Sequence, residues 1–258
     1  LGDKAVQESI QRIDSAIKHS AFSPPRSKNK RFIVNLAPAD IKKEGPGYDL
    51  AIAIAFLKET KQCQGSTEHL LVVGELGLDG SLAHSHGILS ATLCAKEAGI
   101  TTVIVPRVNA SEAAVVDGIC VLGASSLSEV VAHLNGTRIL EPVIVEATTP
   151  RTSQDDSFAH IQGQETAKRA LIIAAAGGHN LLMTGTPGSG KTLLARSIVG
   201  ILPPLSLNEA IEVAKIQSSL GMLTGSVLEL TRPFCAPHHT SSPAALVGGG
   251  STIRPGQI

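Results

Sequence analysis

Aromatic side chains are almost missing from this chain. Five Phe, one Tyr and no Trp make up 2% of its 258 residues. Its cores must therefore be built from Ala, Leu, Ile and Val. A surface that stacks bases on interleaved aromatic rings is not indicated. Net charge is missing as well: 22 Lys and Arg balance 22 Asp and Glu. That argues against a globally basic nucleic-acid binder, though not against a local patch. The four cysteines, Cys63, Cys94, Cys120 and Cys235, form no C-x-x-C pair. Reduced thiols in a cytoplasmic protein are the expectation. No apolar run is long enough to span a bilayer, and no signal peptide is read, so no membrane role is expected. Hydrophobic residues at 43% and charged residues at 17% fit a soluble globular chain with room for two domains. The first residue is Leu1 rather than Met, and the chain is expected to be a fragment of a longer protein.

What is present is a phosphate loop. Gly185-Thr186-Pro187-Gly188-Ser189-Gly190-Lys191-Thr192 matches G-x-x-x-x-G-K-[ST] without a gap. Glycines let successive backbone N–H groups turn toward one anion. Lys191 supplies a point charge for β- and γ-phosphates, and Thr192 a hydroxyl for Mg²⁺. The flanks fit the mechanics. His179 to Thr184 is a short apolar run that reads as a buried parallel strand. Leu193 to Val199 continues at helical spacing. The loop is expected between a strand and a helix N-terminus, where the dipole favours an anion. ATP and Mg²⁺ are the expected ligands, with Lys191 and Thr192 as the catalytic pair and Thr192 as the metal ligand.

The preceding half interleaves strands and helices. Apolar positions from Asp3 to His19 predict an amphipathic helix. Arg31 to Leu36 reads as a strand, and Asp49 opens a helix through Leu57. Leu70 to Leu76 reads as one strand, followed by a tight turn at Asp79-Gly80. Helices are expected over Gly87–Glu97, Ala110–Val116 and Ser126–Leu134. Strands are expected at Thr102–Val105 and Ile119–Leu122. The pattern predicts an α/β or α+β domain over residues 1–136.

Glu44-Gly45-Pro46 with Leu50-Ala51-Ile52-Ala53, then Gly74-Glu75-Leu76, Leu78-Asp79-Gly80, Ala98-Gly99-Ile100 and Val103-Ile104-Val105-Pro106 resemble the proteolytic domain of Lon-type proteases. The resemblance implies a ribosomal-protein-S5-like α/β fold. It also implies a serine after the Asp-Gly-Pro run and a lysine early in the next helix. Gly47 and Leu89 stand at those positions here. A Ser–Lys dyad needs a hydroxyl and an amine, so this domain is expected to be a non-proteolytic relative.

Residues 137–157, with Pro142, Thr148-Thr149-Pro150 and Asp155-Asp156, read as a linker with one strand near Val143-Ile144-Val145. Residues 158–258 then read as the N-terminal part of an α/β ATPase domain. Ile161-Gln162-Gly163-Gln164, ahead of a helix from Thr166 to Ala176, resembles the adenine-side segment of AAA+ ATPases. That resemblance makes Ile161 and Gly163 nucleotide-site candidates. Arg232-Pro233-Phe234 with Pro237-His238-His239-Thr240 and Gly248-Gly249-Gly250 resemble the magnesium-chelatase-like AAA+ subfamily. The order of a Lon-like domain before such an ATPase is similar to the ComM/YifB group. The family implies a hexameric ring ATPase, and for its ComM members a helicase that migrates DNA branches in natural transformation. The resemblance places the acidic Mg²⁺-holding strand, the sensors and the arginine finger after Ile258. Phosphoryl transfer rests on positioned charge, so this segment is expected to bind nucleotide without turning it over. Glu209, Glu212 and Glu229 are the first carboxylates to test if it does turn over.

Three lesser patterns compete with bland readings. Cys235-x-x-His238-His239 lacks a second ligand pair, so no structural zinc is expected. A loop or hairpin over a ring pore or subunit interface fits it better. His84-x-His86 reads as a surface loop. The basic run Arg26, Lys28, Lys30 and Arg31 could touch DNA phosphates, but reads first as a solvated loop. Three functions stay open: a motor acting on DNA, a chelatase-type ATPase remodelling a protein partner, and a non-enzymatic assembly module gated by nucleotide.

Overall fold

The computed structural model describes residues 4–25, 33–34, 47–144, 157–223, 228–249 and 255–256. The expected strand at Arg31–Leu36, apart from Ile33 and Val34, lies outside them, as do Glu44-Gly45-Pro46, the basic run 26–31 and most of the linker. The chain divides into two compact units. One comprises Leu1–Glu146 with Gln217–Val227, the other Ala147–Ile216 with Leu228–Ile258.

The first unit is built on a parallel three-stranded sheet in the order β1, β4, β5, formed by Leu70–Val72, Thr102–Pro106 and Cys120–Ala124. Leu70 lies opposite Thr102, and Thr102 opposite Cys120. Strand side chains alternate between faces, and the core follows that alternation. Ile104 and Leu122 face one cluster with Ile13 and Ile17 of α1 (Lys4–His19), Leu50 and Leu57 of α2 (Asp49–Glu59), and Leu127 and Val131 of α5 (Leu127–Leu134). Val103, Val105 and Val121 face another, with Ile88 and Ala95 of α3 (Ile88–Glu97) and Ala110 and Ala113 of α4 (Ala110–Ala113). Helices therefore cover both faces, as a parallel sheet requires. Small residues permit this with so few aromatics. A Cβ on Gly123 would stand 2.9 Å from that of Ala110, and one on Gly65 would fall 1.9 Å from the Leu134 carbonyl oxygen.

The single strand expected over Leu70–Leu76 is two. β1 ends at Val72, and β2 (Glu75–Leu76) pairs antiparallel with β3 (Leu82–Ala83). The break is Gly74, whose N–H donates to the Gly47 carbonyl at 3.0 Å instead of continuing the ladder. The turn between β2 and β3 is held by Asp79, whose Oδ1 accepts from the Ser81 N–H at 3.0 Å, while Gly80 takes φ +83°. The expected strand at 143–145 is not seen at its described residues: a single bridge joins Pro142 to Leu122. The helix from Ala110 stops at Ala113, shorter than expected, and the strand after it runs on to Ala124.

The second unit holds α6 (Ser157–His160), α7 (Glu165–Gly177), α8 (Lys191–Ser197), the first ten residues of α9 (Leu207–Leu220), and α10 (Pro243–Val247). Ile161, Leu171 and Leu194 form a small core with Phe158, Ala167, Met183, Ile198 and Ile201 around them. The strand expected at 179–184 is not formed among the described residues, where every named ladder lies in the first unit. A strand exists only when a neighbour takes its N–H and C=O groups, and periodicity alone cannot supply that neighbour. Leu182 is accordingly 87% exposed.

One buried charge ties α1 to α2. Asp49 is fully buried. Its two oxygens accept from Ser9 Oγ at 2.7 Å and from Arg12 Nε at 2.9 Å. The bond to Asp49 raises the pKa of Arg12 further above its ordinary value. Removing one member leaves the other charge uncompensated. Asp49→Ala should therefore cost roughly 2–4 kcal/mol and lower the thermal midpoint by several degrees. A variant melting within 1 °C of the wild type in calorimetry would contradict this role for the pair.

Candidate functional site

The phosphate loop closes as its residue types require. Gly188 and Gly190 adopt φ +78° and +84°. A Cβ at either position would meet nothing within 4 Å, so the demand for glycine is conformational and not spatial. The Ser189 N–H donates to the Thr186 carbonyl at 3.3 Å and tightens the turn. α8 starts at Lys191 with Gly190 as its cap and no side-chain cap bond. The N–H groups of Gly190, Lys191 and Thr192 donate to no protein acceptor among the described residues. Such orphan donors at a helix start are what an external anion satisfies.

Lys191 is folded across this cradle. Its Nζ donates to the carbonyls of Gly185 and Thr186 at 2.9 and 2.8 Å, and to Ser189 Oγ at 3.2 Å. The ammonium is thus held beside the orphan N–H groups by neutral oxygens alone, which a phosphate would outcompete. Gly185, Thr186, Pro187 and Thr192 are exposed, so the loop is open to a ligand. Thr192 stands at the second position of α8.

The two candidates ahead of the loop have different settings. Ile161 is buried in the core that also takes Leu194 of α8 and Leu171 of α7. It therefore packs against the helix that carries the loop. Gly163 is exposed at φ +68°, and Gln164 follows at φ +58° as the cap of α7.

The carboxylates beyond the loop are mostly committed. Glu209 accepts from the Ser206 N–H and hydroxyl, each at 2.8 Å, and pairs with Arg232 at 3.3 Å. These partners, Ser206 first, hold its pKa below the ordinary carboxylate value. The Arg232 Nε also donates to the Pro203 carbonyl at 3.0 Å. The sequence held a signal for this group: Ser206-x-x-Glu209 is a capping box ahead of α9. Glu212 pairs with Lys215 at 3.3 Å. His238 and His239 place their rings 4.2 Å apart in an exposed loop with Cys235. Among the described residues no group of three or more His, Cys, Asp and Glu could hold a metal ion. Nor is any described helix long and apolar enough to cross a membrane.

Gly47 and Leu89, the two positions that the resemblance to Lon-type proteases singles out, carry no hydroxyl or amine. Gly47 has room for a Cβ, whose nearest neighbour would be Val73 at 3.8 Å. Leu89 is fully buried, and its N–H donates to Glu112 Oε1 at 2.9 Å. Of the Glu112 partners only Asn109 is near in sequence, and the other two lie 23 and 106 residues away.

Two family models match the chain. One, described as magnesium chelatase, subunit ChlI, matches residues 157–258. The other, described as subunit ChlI of Mg-chelatase, matches residues 1–109. The competence protein ComM of Haemophilus influenzae is 40% identical over the whole chain, which covers 51% of that protein. The uncharacterized protein YifB of Escherichia coli is 41% identical, with 50% of its length covered. An uncharacterized protein of Mycobacterium tuberculosis is 44% identical, with 51% covered. The chain thus spans about half the length of the curated relatives it matches. With similarity running from end to end, the chain belongs to the ComM/YifB family, and its two parts match the magnesium-chelatase subunit models.

Proposed function

We propose that this chain is the nucleotide-gripping part of a ring-forming ATPase that acts on DNA. The observation that carries the nucleotide reading is the loop itself: three consecutive orphan N–H groups beside an ammonium held only by neutral oxygens. In this reading Gly188, Gly190 and Lys191 grip the phosphates of ATP, and Thr192 ligates Mg²⁺. Bound Mg²⁺ neutralises charge on the phosphate oxygens. Ile161 supports the site by fixing α8 through Leu194, and Gly163 lets the chain turn beside it.

Gripping the ground state does not accelerate the chemistry. We place the acidic strand and the arginine finger in the further length that the relatives have. An arginine finger is worth roughly 10³–10⁵ in rate where it has been measured. The similarity to the competence protein ComM of Haemophilus influenzae supports DNA as partner, and a hexameric ring is the assembly proposed. The chelatase descriptions of the two family models favour a second reading, in which the ATPase remodels a protein partner in metal insertion. Branched DNA separates the two, since only a DNA motor is stimulated by it.

Lys191→Ala removes the one cation of the cradle. Charge-assisted hydrogen bonds are worth about 1.5–3 kcal/mol, so ATP affinity should fall by roughly 10- to 100-fold. Equal affinities of variant and wild type in calorimetry would refute the site. Steady-state phosphate release should be slow for residues 1–258 and faster for a full-length family protein, rising further with branched DNA. A Lys191-dependent rate in the 1–258 chain equal to the full-length rate would overturn the division of labour. Peptide cleavage should be absent. Cleavage blocked by a serine-directed inhibitor in homogeneous protein would contradict the reading of Gly47 and Leu89.

A further inference from the structure

Within the first unit, the carboxyl ends of β4 and β5 lie side by side, with Pro106 opposite Ala124. The residues that follow these two ends meet: Arg107 Nε donates to Ser125 Oγ at 3.0 Å. Glu129, in the first turn of α5, joins them. Its Oε2 accepts the Ser125 N–H at 2.8 Å, and its own N–H donates to Ser126 Oγ at 3.3 Å. A second arginine comes from the segment after α5. Arg138 Nη1 lies 3.7 Å from Glu129 Oε1, and Arg107 Nη2 lies 4.0 Å from Oε2.

Both ion-pair distances exceed hydrogen-bonding range, so the two guanidinium forks keep donors to give. Among the described residues Arg107 Nε makes the one hydrogen bond of either arginine side chain. The Ser125 hydroxyl accepts that bond, and its own proton goes to no protein acceptor among the described residues. Two cations against one carboxylate leave an excess positive charge. The cations lie outermost: Arg107 and Arg138 are 59% and 69% exposed, and Glu129 only 18%. Arg12, the other described arginine of the first unit, is committed to buried Asp49. Exposed ion pairs add little to stability, so the fold does not need these two arginines for support. A guanidinium fork matches phosphate and carboxylate alike. Cations this open cannot enclose a small anion. A nucleic-acid backbone needs no enclosure, because the counterions it releases supply the affinity. The sparser charge of an acidic peptide holds no such condensed layer.

We propose that Arg107, Arg138 and Ser125 form a contact site for the phosphate backbone of DNA. Glu129 aligns the two guanidiniums and limits how tightly they hold. The site offers donors to phosphate oxygens and no reader of base edges, so it contributes affinity without sequence preference. It rests on the DNA reading above, and it gives the first unit a part in holding that partner.

Binding of a labelled DNA duplex to a full-length protein containing this chain tests it, by fluorescence anisotropy at several salt concentrations. Each phosphate contact adds about 0.9 to the slope of log affinity against log salt. Arg107→Gln and Arg138→Gln together should lower that slope by about 2, equally for duplexes of unrelated sequence. Glu129→Gln can still accept the Ser125 N–H but deletes the negative charge, and should tighten binding several-fold at low salt. A misfolded variant cannot imitate that gain. An unchanged slope in the double variant, or no gain in Glu129→Gln, would overturn the site and leave the DNA reading standing. Absence of duplex binding by the wild type would overturn both. A labelled polyglutamate peptide that the wild type binds and the double variant loses, with duplex binding intact, would overturn the site in favour of an acidic protein partner.

Discussion

The N–H groups at the head of a helix must find an acceptor, and this molecule meets that constraint in two opposite ways. α3 follows Gly87 at φ +73° and α8 follows Gly190 at φ +84°, and neither start has a side-chain cap of its own. At α3 the fold supplies the acceptors: Glu112 for Leu89 and the Ser218 carbonyl for Gly87. At α8 none is supplied among the described residues, and a lysine lies alongside instead. A helix start filled from within becomes a structural joint. One left open beside a cation offers donors to an anion. The two starts share a backbone device and differ in what is set against it.

Everything around the first start is shaped to hold it still. The parallel sheet is covered on both faces, and the covering helices approach closely because small residues stand where rings would in other proteins. Interiors so packed pass a displacement on instead of absorbing it. The surroundings of the second start are looser: a small core under α8, exposed Leu181 and Leu182, and loop residues facing solvent. Firm packing marks the first unit, and an exposed loop the second.

Local chemistry was legible in the sequence, and long-range chemistry was not. The eight loop residues announce their conformation because each glycine and the lysine act within a few residues of one another. Ser126 capping α5 and the turn at Asp79-Gly80 are local in the same way. Leu70–Leu76 reads as one strand because its apolar run is continuous. Only the folded chain shows that Gly74 turns its N–H to Gly47, 27 residues earlier. Leu181-Leu182-Met183 has the composition of a buried strand, yet strand formation depends on a neighbour that periodicity cannot name. The burial of Glu112 is not legible in its neighbours, since only Asn109 of its partners is near in sequence while Leu89 and Ser218 are 23 and 106 residues away. Ile161 is a candidate only through the resemblance to an adenine-side segment, and its place in one core with Leu171 and Leu194 has no sequence signal.

The central claim is that the amides at the head of α8, with Lys191, form the anion cradle. Amide NMR of the isotope-labelled chain titrated with Mg-ATP tests it residue by residue. The account predicts saturable shifts at Gly188, Gly190, Lys191 and Thr192 that follow one binding curve. Saturable binding with those four resonances unmoved would place the nucleotide elsewhere and contradict the account.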